Sequence, residues 1–183
     1  MPETREHASI HAMEDLLGQI EYQASQPPDE HMFALWRAVF SLAHVDGEVA
    51  DSERELVEEV MNIFSFTDEQ RTEITDDMTR AGNTLNLFRA IDLPHHRAQF
   101  FRLARIMIWC DGFLHENEMA IIEAIKTDLG DEVHEYERDL RWMNRKPDLP
   151  LEEKATSCEE EMMKHIIYQM IAFYEEEEGY SNG

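Results

Sequence analysis

Apolar residues recur every three to four positions along most of the chain, which is the period of an amphipathic α-helix. One predicted helix follows Asp29, a suitable N-cap, and its apolar face carries Phe33, Trp36, Phe40 and Ala43. The alternating apolar and polar runs that are typical of strands are missing, and there are only seven glycines. The pattern therefore predicts an all-α protein, a compact bundle of seven to eight helices.

The same periodicity predicts the bounds of the other helices. After the helix that Asp29 caps, we expect helices over about 52–64, 67–82, 85–91, 95–110 and 116–129. The last of them ends at Gly130, which is a suitable C-cap. Two capping boxes are predicted, from Ser52 with Glu55 and from Thr67 with Gln70.

We expect one all-helical domain over residues 1–183. Further helices are predicted near both ends of the chain. One covers about 6–25 at the N-terminus. The C-terminal ones lie within about 131–178 and cover about 131–145 and 151–177.

A short acidic motif occurs twice, each time between two predicted helices. Four positions match at a constant offset of 65 residues: Asp46 and Asp111, Gly47 and Gly112, Val49 and Leu114, and Glu53 and Glu118. The apolar pattern of the helices on either side also matches. The sequence therefore predicts two helix–loop–helix pseudo-repeats, over about 32–64 and 97–129.

Each position of the motif has a structural role that needs no ligand. Glycine permits the sharp exit from a helix, and the aliphatic residue holds the loop on the core. The aspartate accepts loop N–H groups. The glutamate lies in the first turn of the next helix, where its charge meets the positive end of the helix dipole and can reach back toward the loop.

A calcium-binding role is the alternative, because an EF-hand loop has Asp, Gly, an aliphatic residue and Glu at the same relative spacing. The other two ligand positions of such a loop are filled by Leu42 and His44 in the first copy and by Met107 and Trp109 in the second. These side chains cannot complete a cage of oxygen ligands. The sequence therefore excludes an ordinary EF-hand.

The two copies together offer more oxygen ligands than either alone. If the repeats pack around a pseudo-twofold axis, four carboxylates converge, those of Asp46, Glu53, Asp111 and Glu118. Such a group repels itself unless it is partly protonated or binds a cation. Glu48, Asp51 and Glu116 lie near enough in the sequence to join it. The predicted ion is an oxygen-ligated divalent cation: Mg²⁺, Ca²⁺ or Mn²⁺.

These residues resemble the TerB family of tellurite-resistance and stress-response proteins. Its domains have a helix that ends in Ala-x-x-Asp-Gly, then an aliphatic residue, then Glu in the next helix. Here the motif reads Ala43-His44-Val45-Asp46-Gly47-Glu48-Val49, with Glu53 after it. The resemblance covers about 32–129, and Trp109 and Cys110 depart from it in the second unit.

The resemblance implies an all-helical fold with two such units and a divalent cation at the four carboxylates named above. It also implies a non-enzymatic role in metal or oxyanion stress, in membrane-linked complexes or in phage defence.

The charge of the chain limits its partners. Its 40 acidic and 16 basic residues give a net charge of −24, which argues against direct binding of nucleic acid or of an anionic membrane surface. No apolar signal segment and no membrane span is visible. The acidic charge is compatible with cation binding, with a basic protein partner or with solubility alone. We expect a cytoplasmic protein with two reduced cysteines, Cys110 and Cys158, and with a protein partner.

No pattern for catalysis is found. The chain has no Glu-x-x-His, no His-Glu-x-x-His, no glycine-rich phosphate loop and no Gly-x-Ser-x-Gly. We therefore expect neither an enzyme nor an organic cofactor. Two alternatives to the cation-binding hypothesis stay open, a metal-free acidic module that binds a basic protein and an acidic mimic of nucleic acid.

Overall fold

The computed structural model of the chain describes residues 25–44, 49–80, 83–109 and 113–145. These ranges contain helices and turns but no strand, so the predicted all-α class is confirmed. The α-helices are α1 (Glu30–Phe40), α2 (Asp51–Ile63), α3 (Asp68–Met78), α4 (Thr84–Arg89), α5 (Pro94–Ile108), α6 (Glu116–Leu129) and α7 (Glu137–Met143). Two 3₁₀ helices follow α1 and α6, at Ser41–His44 and Gly130–Tyr136.

The remaining predicted helices lie near the two ends of the chain. Nearly all of the helix predicted over 6–25 and the whole helix predicted over 151–177 lie outside the described residues. Within the described ranges, no helix is long and apolar enough to cross a membrane.

Helix α1 begins where its sequence predicts. The Asp29 carboxylate accepts a hydrogen bond from the Met32 N–H at 2.9 Å, which satisfies one of the N–H groups left open in the first turn. The buried side of α1 includes Leu35, Trp36 and Phe40. This side packs against α5 and α4, so α1 and α5 form the centre of the fold.

The capping box at the start of α3 is also confirmed. The Gln70 N–H donates to the Thr67 hydroxyl at 3.2 Å, and the Thr67 N–H donates to the Gln70 side-chain oxygen at 3.1 Å. One turn on, Arg71 donates to the carbonyl oxygen of Met61 at 2.6 Å. Since Met61 lies in the last turn of α2, this bond ties the two helices together.

The capping box predicted for Ser52 and Glu55 is wrong. Helix α2 begins at Asp51, and its N-cap is Ala50. The reason lies in the preceding loop, because Val49 packs against the core and sets the start of the helix directly after it. The residue three positions after the N-cap is therefore Glu53 rather than Glu55.

Gly130 is the C-cap of α6, as predicted, with a φ of 55° that favours glycine. The single helix predicted over 131–145 is wrong, because a 3₁₀ helix fills its first half and α7 follows. A 3₁₀ helix has three residues per turn. Val133 and Tyr136 consequently lie on the same side, where both pack against the core.

The structural similarity of the two units extends to a third helix in each. Helix α3 packs on α1, and α7 packs on α5. Arg37 of α1 forms a two-bond ion pair with Asp77 of α3, at 2.6 Å and 3.1 Å. Arg102 of α5, 65 residues after Arg37, forms an ion pair with Asp139 of α7 at 2.7 Å. Equivalent arginines thus fix the third helix of each unit through a buried aspartate.

Candidate functional site

The two motif glutamates occupy the same place in their helices. The Glu53 carboxylate accepts a hydrogen bond from the Ala50 N–H at 2.8 Å. The Glu118 carboxylate accepts one from the His115 N–H at 2.9 Å. Each bond spans three residues and satisfies a donor just before the helix. The predicted reach of both glutamates back toward the loop is confirmed.

The surroundings of the two glutamates are similar but not identical. Val49 and Leu114, the aliphatic residues of the motif, both pack against the core, as predicted. Glu118 is 5% exposed, whereas Glu53 is only half-buried. The second unit therefore encloses its carboxylate more completely than the first.

The aspartates of the motif, Asp46 and Asp111, lie outside the described residues, as does Glu48. Asp51 and Glu116, at the first position of α2 and α6, are exposed. Within 25–44, 49–80, 83–109 and 113–145, no group of three or more His, Cys, Asp or Glu side chains is placed to hold a metal ion. Convergence of the four predicted carboxylates therefore stays a prediction.

Helix contacts show which parts of the two units meet. Among the described helices, α1 and α5 make close contact across the units. The two glutamate-bearing helices, α2 and α6, do not pack closely on each other in these ranges.

The chemistry of Glu53 and Glu118 is compatible with a divalent cation. A carboxylate has about four lone-pair positions, so accepting one backbone N–H does not exhaust it. Carboxylate oxygens are the ligands that Mg²⁺, Ca²⁺ and Mn²⁺ prefer. Because such ions take six or more oxygens, backbone carbonyls and water would have to complete the shell.

A histidine cluster lies at the N-terminal ends of α1 and α5; the sequence shows His95 and His96 together at a helix start but not the approach of His31. The ring of His96 is 6.5 Å from that of His31 and 4.4 Å from that of His95, centroid to centroid. His31 in turn pairs with Asp92 at 3.0 Å. His96 is buried, and its Nδ1 has no hydrogen-bond partner among the described residues.

Burial, followed by the positive charge of His95, lowers the pKa of His96 to about 4 from 6.5. The unfolded chain therefore binds a proton at His96 between about pH 6.5 and pH 4, where the folded chain does not.

We expect the fold to lose stability as the pH falls through this window, by up to about 3 kcal/mol from this residue. Replacing His96 with Gln should flatten the pH dependence of the melting temperature between pH 6.5 and pH 4. The control is His134→Gln, at an exposed histidine bonded to Glu137. An unchanged pH profile in His96→Gln would contradict this assignment.

The capping bonds give a second expectation. Glu118→Ala should lower the free energy of unfolding by about 1–2 kcal/mol, because the His115 N–H loses its acceptor, and Glu53→Ala should cost less at its more exposed site. Urea unfolding in EDTA measures this without any metal contribution. Glu123→Ala, at an exposed position of α6, is the control, and a loss there equal to that of Glu118→Ala would refute the capping role.

No protein-family model matches the chain, and neither a curated protein nor a solved structure matches it significantly. The resemblance to TerB-like domains therefore depends on the motif residues and stays a prediction.

Proposed function

We propose that the protein is a non-enzymatic, TerB-like helical module of the cytoplasm that binds a divalent cation and acts in metal or tellurite stress or as a signalling adaptor. The proposed ligands are four carboxylates from its two loop–helix units: Asp46, Glu53, Asp111 and Glu118. No organic cofactor is part of the proposal.

The observation that supports this proposal most is the equivalence of Glu53 and Glu118. Both carboxylates are held by a single-turn hydrogen bond at the N-terminus of a helix, directly after an Asp-Gly loop. A carboxylate held in this way loses little conformational entropy when it binds an ion. The repeated motif therefore supplies two pre-oriented carboxylates, each seven residues after a motif aspartate in the sequence.

Thermal melting with and without metal tests the proposal. At a cation concentration about 100 times the Kd, binding adds about 2.7 kcal/mol to the stability. For a chain of this length we then expect the melting temperature to rise by about 5–10 °C over its value in EDTA. The gain should vanish in the double variant Asp46→Asn with Asp111→Asn.

The matched control is Glu58→Gln with Glu123→Gln, which removes the same charge from exposed positions of α2 and α6. Its metal-dependent gain should equal that of the wild type. Equal melting temperatures of the wild type in EDTA and in Mg²⁺, Ca²⁺ and Mn²⁺ would refute cation binding.

A metal-free acidic module that binds a basic protein is the second candidate. It is favoured by the capping bonds, which give Glu53 and Glu118 a complete structural role without an ion. A complex with a basic partner should then weaken with salt and be insensitive to EDTA.

A further inference from the structure

Helix α7 carries arginines on the side that faces away from the core. Its buried side is formed by Asp139, Leu140 and Met143, together with Tyr136 just before the helix. The opposite side carries Arg138 and Arg141, and Arg145 follows two residues after the helix; we name these three exposed arginines the Arg stripe. Their spacing of three and then four residues places them along one side of a helical path. The burial pattern and the spacing together define a single basic surface.

The two C-terminal arginines of the stripe form no close ion pair with a described residue. Within the described residues, no carboxylate lies within ion-pair distance of Arg141 or Arg145. The nearest acidic neighbour on the helix, Glu137, is bonded to His134 at 2.7 Å. This bond, and to a smaller extent the charge of Arg141, lowers the pKa of Glu137. Two guanidinium groups therefore face solvent with their donors available.

A tryptophan lies beside the stripe, and α5 fixes its position. The Arg105 guanidinium is 4.3 Å from the ring centroid of Trp142, and its Nε donates to the backbone oxygen of Arg145 at 2.8 Å. The indole N–H of Trp109 donates to the carbonyl oxygen of Met143 at 3.0 Å. Because these bonds hold the end of α7, the surface is ordered before any partner arrives, which lowers the entropic cost of binding.

The stripe contrasts with the equivalent helix of the first unit. The exposed side of α3 carries Glu69, Glu73 and Asp76, and the whole chain has 40 acidic against 16 basic residues. At physiological salt, charges are screened beyond about 8 Å. A partner that approaches α7 therefore meets the local arginines rather than the net charge.

We propose that the Arg stripe, together with Trp142, is a docking surface for an acidic segment of a different protein. Arginine binds carboxylates through two parallel hydrogen bonds. Arginine and tryptophan are also the residues that most often dominate the binding energy of protein interfaces. This surface goes beyond the proposed function, whose ligands are the four carboxylates of the loop–helix units and which includes no acidic partner.

Fluorescence anisotropy of the full chain with a labelled oligoglutamate peptide tests the proposal. We expect wild-type binding that weakens between about 50 and 300 mM salt. Arg141→Glu with Arg145→Glu should raise the Kd about tenfold or more. The control is Arg54→Glu with Arg80→Glu, which changes the net charge equally at exposed arginines of the first unit and should leave the Kd within about twofold.

Three results would overturn the proposal. The first is no binding of oligoglutamate, or an equal loss in both charge-reversed variants. The second is tighter binding of a single-stranded DNA oligonucleotide, which would assign the stripe to nucleic acid. The third is a wild-type dimer in analytical ultracentrifugation that Arg141→Glu with Arg145→Glu dissociates, which would make a second copy the occupant. If the charge reversal prevents folding, Arg141→Gln with Arg145→Gln replaces it.

Discussion

Replacing Arg37 with alanine is expected to lower the free energy of unfolding by about 3 kcal/mol. The side chain of Asp77 is 2% exposed, and Arg37 is its ion-pair partner. Without the guanidinium, a buried carboxylate loses its two hydrogen bonds and its compensating charge. Arg102→Ala should act in the same way in the second unit, where the side chain of Asp139 is 9% exposed.

Urea unfolding at neutral pH measures this effect. The control is Arg89→Ala, which breaks the pair between Arg89 and Asp128. That pair has similar bonding geometry, but its side chains are 51% and 31% exposed. Because solvent can replace the lost partner there, the control should change the stability little. Equal losses in Arg37→Ala and Arg89→Ala would contradict a special role for the buried pairs.

Phe100→Ala is expected to cost about 3–5 kcal/mol. Phe100 is fully buried in α5, and its ring centroid lies 5.0 Å from that of Phe88 and 5.4 Å from that of Phe101. Truncation leaves a cavity among aromatic rings that cannot close without moving α4 or α5. Since a domain of this kind is stable by about 5–15 kcal/mol, the loss is a large share of the total.

The same substitution at Phe113 provides the control, because this side chain is 69% exposed. Phe113→Ala should change the stability by less than about 0.5 kcal/mol. Thermal melting or urea unfolding of both variants measures the difference. A loss in Phe100→Ala no larger than that in Phe113→Ala would show that these rings are not the core.

The features that could be predicted depend on residues close together in the sequence. The Asp29 cap of α1, the Thr67 capping box and the Gly130 cap each involve contacts within about one helical turn. The reach of Glu53 and Glu118 back to their loops is also local, over three residues. Such contacts can be predicted from the sequence because the spacing of the residues along the helix alone brings the groups together.

The features that were missed depend on tertiary packing. Arg37 and Asp77 are 40 residues apart, and His31 and Asp92 are 61 apart, so no local spacing links them. The only available signal was the recurrence of Arg37 as Arg102 at the repeat offset. The start of α2 and the 3₁₀ helix at Gly130–Tyr136 were mispredicted because packing of Val49 and Tyr136 against the core outweighs local capping and helix preference.

Calorimetric titration of the purified chain with Mn²⁺, Ca²⁺ and Mg²⁺ tests cation binding most directly. We expect saturable binding of at least one of these ions to the wild type and to the Glu58→Gln, Glu123→Gln control. A stoichiometry of one ion per chain would mean that the two units share the ion. A stoichiometry of two would mean that each unit binds its own ion. The predicted result is loss of this binding in Asp46→Asn with Asp111→Asn, and the contradicting result is no saturable binding of any of the three ions to the wild type.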